Sequence, residues 1–341
     1  MKSVVKVNRA LIAREAGVTG TVVSAVLNGH ASVRVSAAKR DEILKLVRRY
    51  NYVPNKTARS LAFGRTHTIG LLVSRLTPYY AMLTEALQSA AQARGVDVLP
   101  LTSGANEELE EQHLANCCDG RVDGVITAGS NDHSLALRAK YTRPPHDLIM
   151  VLIRGPTVGF PTVHFDDVAA GRMAADHLLD LGRTVFCVMG TSGERVRSFR
   201  ERVSQRVAWP PERVETPEYF KAGLAAAERV LALRPLPDGV FACNDLLGLA
   251  LMHAAQRRGV RVPDDLAIVS CDNTEACLYP LPQLTSIDTQ VALTAETALQ
   301  KLVDRIEGRV PEQEHTVLPV TLCVRGSTVS GAEATDPRSR H

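Results

Sequence analysis

The sequence contains no stretch of about 18 uncharged apolar residues, the length a helix needs to cross a bilayer. Residues 1–20 lack the apolar segment of a secretory signal. No membrane partner is therefore expected, and the chain reads as cytoplasmic. Its seven cysteines are odd in number, scattered from Cys117 to Cys323, and form no C-x-x-C pair. That excludes a disulfide framework and a zinc ribbon as expectations and suits buried, reduced thiols. Signatures of catalysis are missing too: there is no G-x-S-x-G, Walker A or G-x-G-x-x-G. Glu110-x-x-His113 has the spacing of a di-iron helix, but without a second copy or partner glutamates it reads as a solvated helix face. His67, His133 and His146 stand in loop-like contexts with no nucleophile beside them. No catalytic residue, metal or cofactor is expected.

What is present is an ordinary globular composition, 45% apolar and 23% charged, on a chain of 341 residues. At roughly 150 residues per domain, two or three domains are expected. The net charge of +3 conceals an asymmetry. Residues 1–65 carry 13 Lys and Arg against three acids, whereas the rest carries 27 basic and 34 acidic side chains. A small basic head on a mildly acidic body implies a polyanion-binding module joined to something that does not bind polyanions.

In the head, Asn8 is a candidate cap for a helix with Leu11, Ile12 and Ala16 on one face, interrupted at Gly17-Val18. Thr19 then caps a second helix whose stripe is Val22, Val23, Val26 and Leu27, ending at Asn28-Gly29. Two short helices about a glycine-containing turn make a helix-turn-helix candidate. A third helix follows Ser36, with Ile43, Leu44, Val47 and Tyr50 facing inward.

From Thr68 the pattern becomes apolar runs alternating with amphipathic helices. "TIGLLV", "VDVLPL", "VDGVITAG", "DLIMVLI", "TVFCVMG", "GVFACND" and "LAIVSCD" read as strands, separated by helices such as "AAGRMAADHLLDLG". Such alternation implies parallel sheets covered on both faces. Ligands bind beyond the carboxyl ends of strands in these folds. Polar residues there are candidates: Ser74-Arg75, Asn244-Asp245 and Asp272-Asn273.

"IAREAGVTGTVVSAVLNG", "VRVSAAKRDEI" and "NYVPNKTARSLAFGRTHTIGLLV", with "VDGVI", "VHFDDVAAGRMAADHLLDLG", "GVFACNDLLGLALMHAAQRRGVRVPDDLAIVSCDN" and "LTSID" in the body, resemble the LacI (lactose repressor) family of bacterial transcription regulators over about residues 1–325. The resemblance implies an N-terminal all-α helix-turn-helix domain plus an α/β periplasmic-binding-protein-like core of two doubly wound subdomains. It divides the chain into a DNA-binding domain at 1–53, a hinge helix and linker at 54–66, a core at 67–328 with crossovers near 158–162, 286–290 and 318–322, and a polar tail at 329–341.

By the family's pattern the helix from Thr19 lies in the major groove. Gly20, Thr21 and Ala25 fall at base-reading positions, and Thr19, Ser24 and Asn28 at backbone or nearby contacts. This chain departs from that pattern, because Ala25 stands where an arginine is common and Gly20 has no side chain. A guanine-reading fork is absent there, although the Ala25 methyl could meet a thymine. Within "PNKTARSLAFGR" the resemblance implies a hinge helix capped by Asn55, with Ala58, Arg59 and Leu61 on DNA and Leu61 wedged into the minor groove, a device that kinks DNA.

In the core the resemblance places the effector against Ser74, Tyr79, Tyr80, Arg154, Arg195, Asn244 and Asp272. The family often has an aspartate near the end of "IMVLIR", where this chain has Ile153-Arg154. A sugar acid or phosphorylated sugar thus becomes more attractive than a neutral sugar as the small-molecule effector. The implied partners are double-stranded operator DNA, that effector, and a second copy of the chain in a homodimer. Whether effector releases DNA or promotes binding stays open, release being the commoner family behaviour. The alternatives are a corepressed or activating regulator, or a solute-binding protein or enzyme using the α/β core.

Overall fold

The computed structural model describes residues 8–27, 34–52, 64–129, 133–191, 193–208, 211–217, 219–309 and 314–330. The chain forms two units, Met1–Thr66 and His67–His341.

In the first unit, helix α1 (Arg9–Glu15) starts where Asn8 Oδ1 accepts the Leu11 amide at 2.9 Å. Gly17, at φ +62°, turns the chain into α2 (Gly20–Leu27), and Thr19 Oγ1 accepts from the Val22 amide at 3.4 Å. The two helices meet at a bend of 104°, within the range of helix-turn-helix pairs. Ser36 caps α3 (Ala37–Arg49). Ile12, Ala16, Val23, Val26 and Ile43 close a small core, ringed by Leu44, Val47 and Tyr50. Two polar ties pin α3 to α1: Lys39 Nζ donates to the Ala16 carbonyl at 2.9 Å, and Tyr50 donates to Glu15 at 2.6 Å.

The second unit holds two six-stranded sheets. The first has the order β11-β5-β4-β3-β1-β2, where β1 is Thr68–Val73, β2 Asp97–Thr102, β3 Gly124–Ala128, β4 Met150–Ile153, β5 Thr162–Phe165 and β11 His315–Leu318. The second has the order β12-β10-β9-β8-β6-β7, where β6 is Phe186–Met189, β7 Glu212–Val214, β8 Gly239–Ala242, β9 Ala267–Asp272, β10 Thr285–Asp288 and β12 Thr321–Cys323. All pairings are parallel except that of β12 with β10. The central strands are buried throughout, as covered parallel sheets require.

Helices α4 (Pro78–Gln92) and α11 (Val291–Ile306) cover one face of the first sheet through Leu83, Leu87, Ala295, Leu299 and Leu302. On its other face lie α5 (Glu107–Asn116) and α6 (His133–Tyr141). The second sheet is enclosed by α7 (Asp167–Asp180), α8 (Gly193–Ser204), α9 (Phe220–Ala232) and α10 (Asp245–Arg257).

The chain passes between sheets three times, at Asp166, at 289–290 and at 319–320. The first passage falls later than the expected 158–162, because β5 still pairs with β4 and β11 in the first sheet. The strands β7 and β12 are only three residues long, and β7, β11 and β12 are largely exposed, which removes the apolar run that would announce them.

Glu110 also corrects an expectation. It is not on a solvated face but 6% exposed, because Arg138 on α6, itself 2% exposed, places Nε and Nη2 each 3.0 Å from Glu110 Oε1. His113 turns away to the Thr102 carbonyl at 3.1 Å. Among the described residues no cluster of three or more His, Cys, Asp or Glu could hold a metal, and no single helix is long and apolar enough to cross a membrane. Removing one partner of a buried ion pair leaves an uncompensated charge, so Glu110→Ala is expected to cost about 3–5 kcal/mol. Urea unfolding of that variant checks this, and a midpoint like the parent's would mean that Arg138 finds other compensation.

Candidate functional site

A cleft of 630 Å³ opens between the two sheets of the second unit. Its walls are the carboxyl ends of the strands, where parallel folds place ligands. The seven positions where the resemblance placed the effector line it: Ser74, Tyr79, Tyr80, Arg154, Arg195, Asn244 and Asp272, each half-buried, whereas the strand-end candidates Asp245 and Asn273 are buried behind it.

The first sheet supplies the aromatic side. Thr77 caps α4 and Pro78 opens it, which sets Tyr79 and Tyr80 at the start of the helix, their rings 5.2 Å apart and nearly perpendicular. Gly129, at φ +70° after β3, leaves space for the Tyr80 hydroxyl: a side chain there would overlap it. The Tyr79 hydroxyl is held protonated, chiefly by its removal from water and then by the Asp272 carboxylate. Tyr79 thus lies within electrostatic reach of the opposite wall.

The second sheet supplies the charged side. Asp166 caps α7 by accepting the Ala169 amide at 2.8 Å, and Asp167 follows in the first turn. At Gly171 the helices α7 and α8 touch so closely that a Cβ would overlap the Arg195 carbonyl and Ser198. That contact brings Arg195 over the ring of Phe165, with its guanidinium carbon 4.9 Å from the centroid. Its Nε donates to Asp167 Oδ1 at 2.7 Å and its Nη1 to the Cys243 carbonyl at 2.7 Å. Arg195 is therefore held by Asp167, a residue that sequence reasoning passed over, and both face the cleft. Asn244 caps α10, its Oδ1 accepting the Leu247 amide at 3.0 Å.

Asp272 and Asn273 have φ of +115° and +51°, conformations that cost a non-glycine residue about 1–3 kcal/mol. Buried hydrogen bonds hold them. Asn273 donates its backbone N–H to Ser286 Oγ at 2.9 Å and its side-chain amide to Asp288 at 2.9 Å, and accepts from Arg325 at 2.7 Å. The Asp-Asn pair, tolerant of left-handed backbone, was the one sequence signal for this turn.

Arg75, a strand-end candidate, lines the same cleft, and Thr77, Gly129, His164, Phe165, Gly193 and Tyr219, which the sequence did not single out, join it. The cationic groups Arg75, Arg154 and Arg195 face the anionic Asp167 and Asp272. His164 is kept neutral: burial lowers its basicity, and Asp167 and Asp166 only partly oppose this.

In the first unit, Thr19 and Thr21 are exposed and Gly20 and Ser24 half-buried along α2. Ala25 differs from expectation. It is 5% exposed, so its methyl is covered rather than presented to a thymine. Asn28, Asn55, Ala58, Arg59 and Leu61 lie outside the described residues.

A helix-turn-helix unit and a two-sheet α/β unit with a cleft at its strand ends define a ligand-binding regulator architecture. Residues 12–55 match the model for bacterial regulatory proteins of the lacI family, and residues 175–328 that for a periplasmic binding protein-like domain. The HTH-type transcriptional regulator DegA of Bacillus subtilis (strain 168) is 30% identical over 328 residues, covering 93% of this chain and 96% of DegA. A cellobiose complex of the transcriptional regulator CelR superposes with a TM-score of 0.70 at 26% identity, covering 94% and 100% of the two chains. The lac repressor dimer bound to operator and the anti-inducer ONPF shares the fold, with a TM-score of 0.80 at 24% identity over 95% and 99% of the chains. The chain belongs to the lacI family of bacterial regulatory proteins and is a helix-turn-helix transcription regulator.

Burial lowers the basicity of His164 and His177 alike, so the folded chain binds fewer protons at these rings than the unfolded chain does. Their contribution to stability is complete above the ordinary histidine value of 6.5 and is lost as pH falls below it. Thermal melts from about pH 7.5 to about pH 5 are expected to show a falling Tm, with a shallower slope for His164→Gln. An unchanged slope in that variant would show that His164 is not the ring responsible.

Proposed function

We propose that this chain is a dimeric repressor whose two heads grip a two-fold operator and let go when an anionic sugar, a sugar acid or sugar phosphate, enters the cleft. The observation that carries the reading is the makeup of the cleft. Three arginines face two carboxylates, and the Arg195–Asp167 pair sets a guanidinium beside a carboxylate, donor beside acceptor, suited to sugar hydroxyls. Arg154, at the end of β4, adds the charge that favours an anion over a neutral sugar. CelR, bound to cellobiose, lends support for a sugar-like ligand.

On the DNA side, α2 enters the major groove, with Thr19, Gly20, Thr21 and Ser24 toward the bases and backbone. Asn28, Asn55, Ala58, Arg59 and Leu61 complete the contact, Leu61 as a minor-groove wedge. A second copy of the chain is supported by the exposed apolar side chains Leu278, Tyr279 and Leu281, the last 90% exposed. Two-fold symmetric pairing of subunits suits a palindromic site. Effector changes the relation of the two lobes, and the coupling between effector and operator must be reciprocal.

A thermal-shift panel of sugars, sugar acids, sugar phosphates and nucleobases tests the reading, followed by operator binding with any hit. Anionic sugars are expected to raise Tm, and Arg154→Ala to lower affinity for them about tenfold or more. A neutral sugar as the sole hit would replace the anion. The regulator reading fails if nothing shifts Tm and the dimer ignores its own promoter region at low salt. Leu61→Ala is expected to keep effector binding and dimerisation while weakening operator affinity by fluorescence anisotropy. Unchanged affinity would remove the wedge.

A further inference from the structure

The reading end of α2 lacks long side chains. Gly20 has none, Ala25 is covered, and Thr21 is short. The space over Gly20 is nevertheless filled. Arg9, the exposed first residue of α1, lies across it: a Cβ built on Gly20 would meet Arg9 Nε at 3.3 Å and its Cγ and Cδ at 3.8 Å. The arginine stem thus rests on the glycine, and the guanidinium is carried to the first turn of the neighbouring helix.

No acid holds it there. The three acids of the head have other partners: Glu15 accepts from Tyr50, Asp41 pairs with Lys45 and Glu42 with Lys39. Among the described residues the Arg9 side chain makes no hydrogen bond or ion pair. A stem seated against backbone has already given up part of the rotamer freedom that binding would otherwise cost. The planar fork of arginine matches O6 and N7 of guanine in the major groove, with a fixed geometry that the flexible point charge of a lysine lacks.

We propose that Arg9 reads a guanine in each half-site from α1, and that Gly20 is the gap that admits it. This rests on the reading that α2 enters the major groove. It assigns specificity to a residue outside the recognition helix and restores the fork that the helix itself lacks.

Selection of randomised duplexes by the full-length protein, followed by sequencing, tests this against Arg9→Ala and Arg9→Lys. The parent is expected to enrich a two-fold motif with an invariant G·C pair in each half. Arg9→Ala should lose discrimination at that pair by about tenfold or more while keeping the other positions, and Arg9→Lys should restore it only in part. Gly20→Ala, which presses on the arginine, should blunt the same preference. Circular dichroism of each variant checks that the helices stay folded. If Arg9→Ala weakens all sequences equally and lowers the salt slope by about one, Arg9 touches phosphate and the proposal falls. An unaltered motif also overturns it. If the parent enriches no motif at all, the DNA reading falls with it.

Discussion

The second lobe is organised around the carboxylate of Asp245. It is 1% exposed and accepts four hydrogen bonds, from Ser270 and Ser286 at 2.6 Å and from the Thr274 amide and hydroxyl at 2.6 and 2.8 Å. A buried carboxylate with fewer donors would cost several kcal/mol, so the four partners are obligatory rather than incidental. They come from β9, from the turn after it and from β10, and Asp245 itself opens α10. One side chain therefore fixes the strained turn that presents Asp272, the helix that Asn244 caps, and the strand leading to the second passage between lobes. The neighbouring ties among Asn273, Asp288 and Arg325 extend the same lattice toward the chain's final strand.

The cleft depends on that lattice on one side and on close helix contact on the other. Arg195 owes its position to the absence of a side chain at Gly171 and its orientation to Asp167 and the Cys243 carbonyl. With the arginine fixed on one lobe and the tyrosines on the other, the cleft spans two lobes joined by three passages. A ligand in such a cleft biases the relation of the lobes only by what it contacts differently in each state.

The alternation of apolar runs and amphipathic helices was legible because period and burial agree, as in "TIGLLV", where five of six residues are buried. Caps at Asn8, Ser36 and Thr19 were legible from local chemistry alone. The cleft's strand-end residues followed from a rule about parallel sheets. What escaped were pairings between segments distant in sequence: Asp167 with Arg195, 28 positions apart, and Glu110 with Arg138, equally far. Nothing local distinguishes a glutamate on a solvated face from one opposite a buried arginine. Ala25 escaped for a related reason, because small residues suit an exposed and a covered helix face equally. The short strands β7, β11 and β12 owe their pairing to neighbours already in place, not to any run of their own.

The antiparallel strand β12 closes the second sheet only after the chain has returned from the first, and α11 and β11 of the first sheet come after β10 of the second. Neither lobe is a contiguous piece of chain. The head needs only residues 9–49 for its three helices, whereas each lobe needs a strand from residue 315 onward. A chain interrupted before residue 315 would thus keep every helix of the head while both lobes lost an edge strand at once, so damage to one short segment disables the two walls of the cleft together.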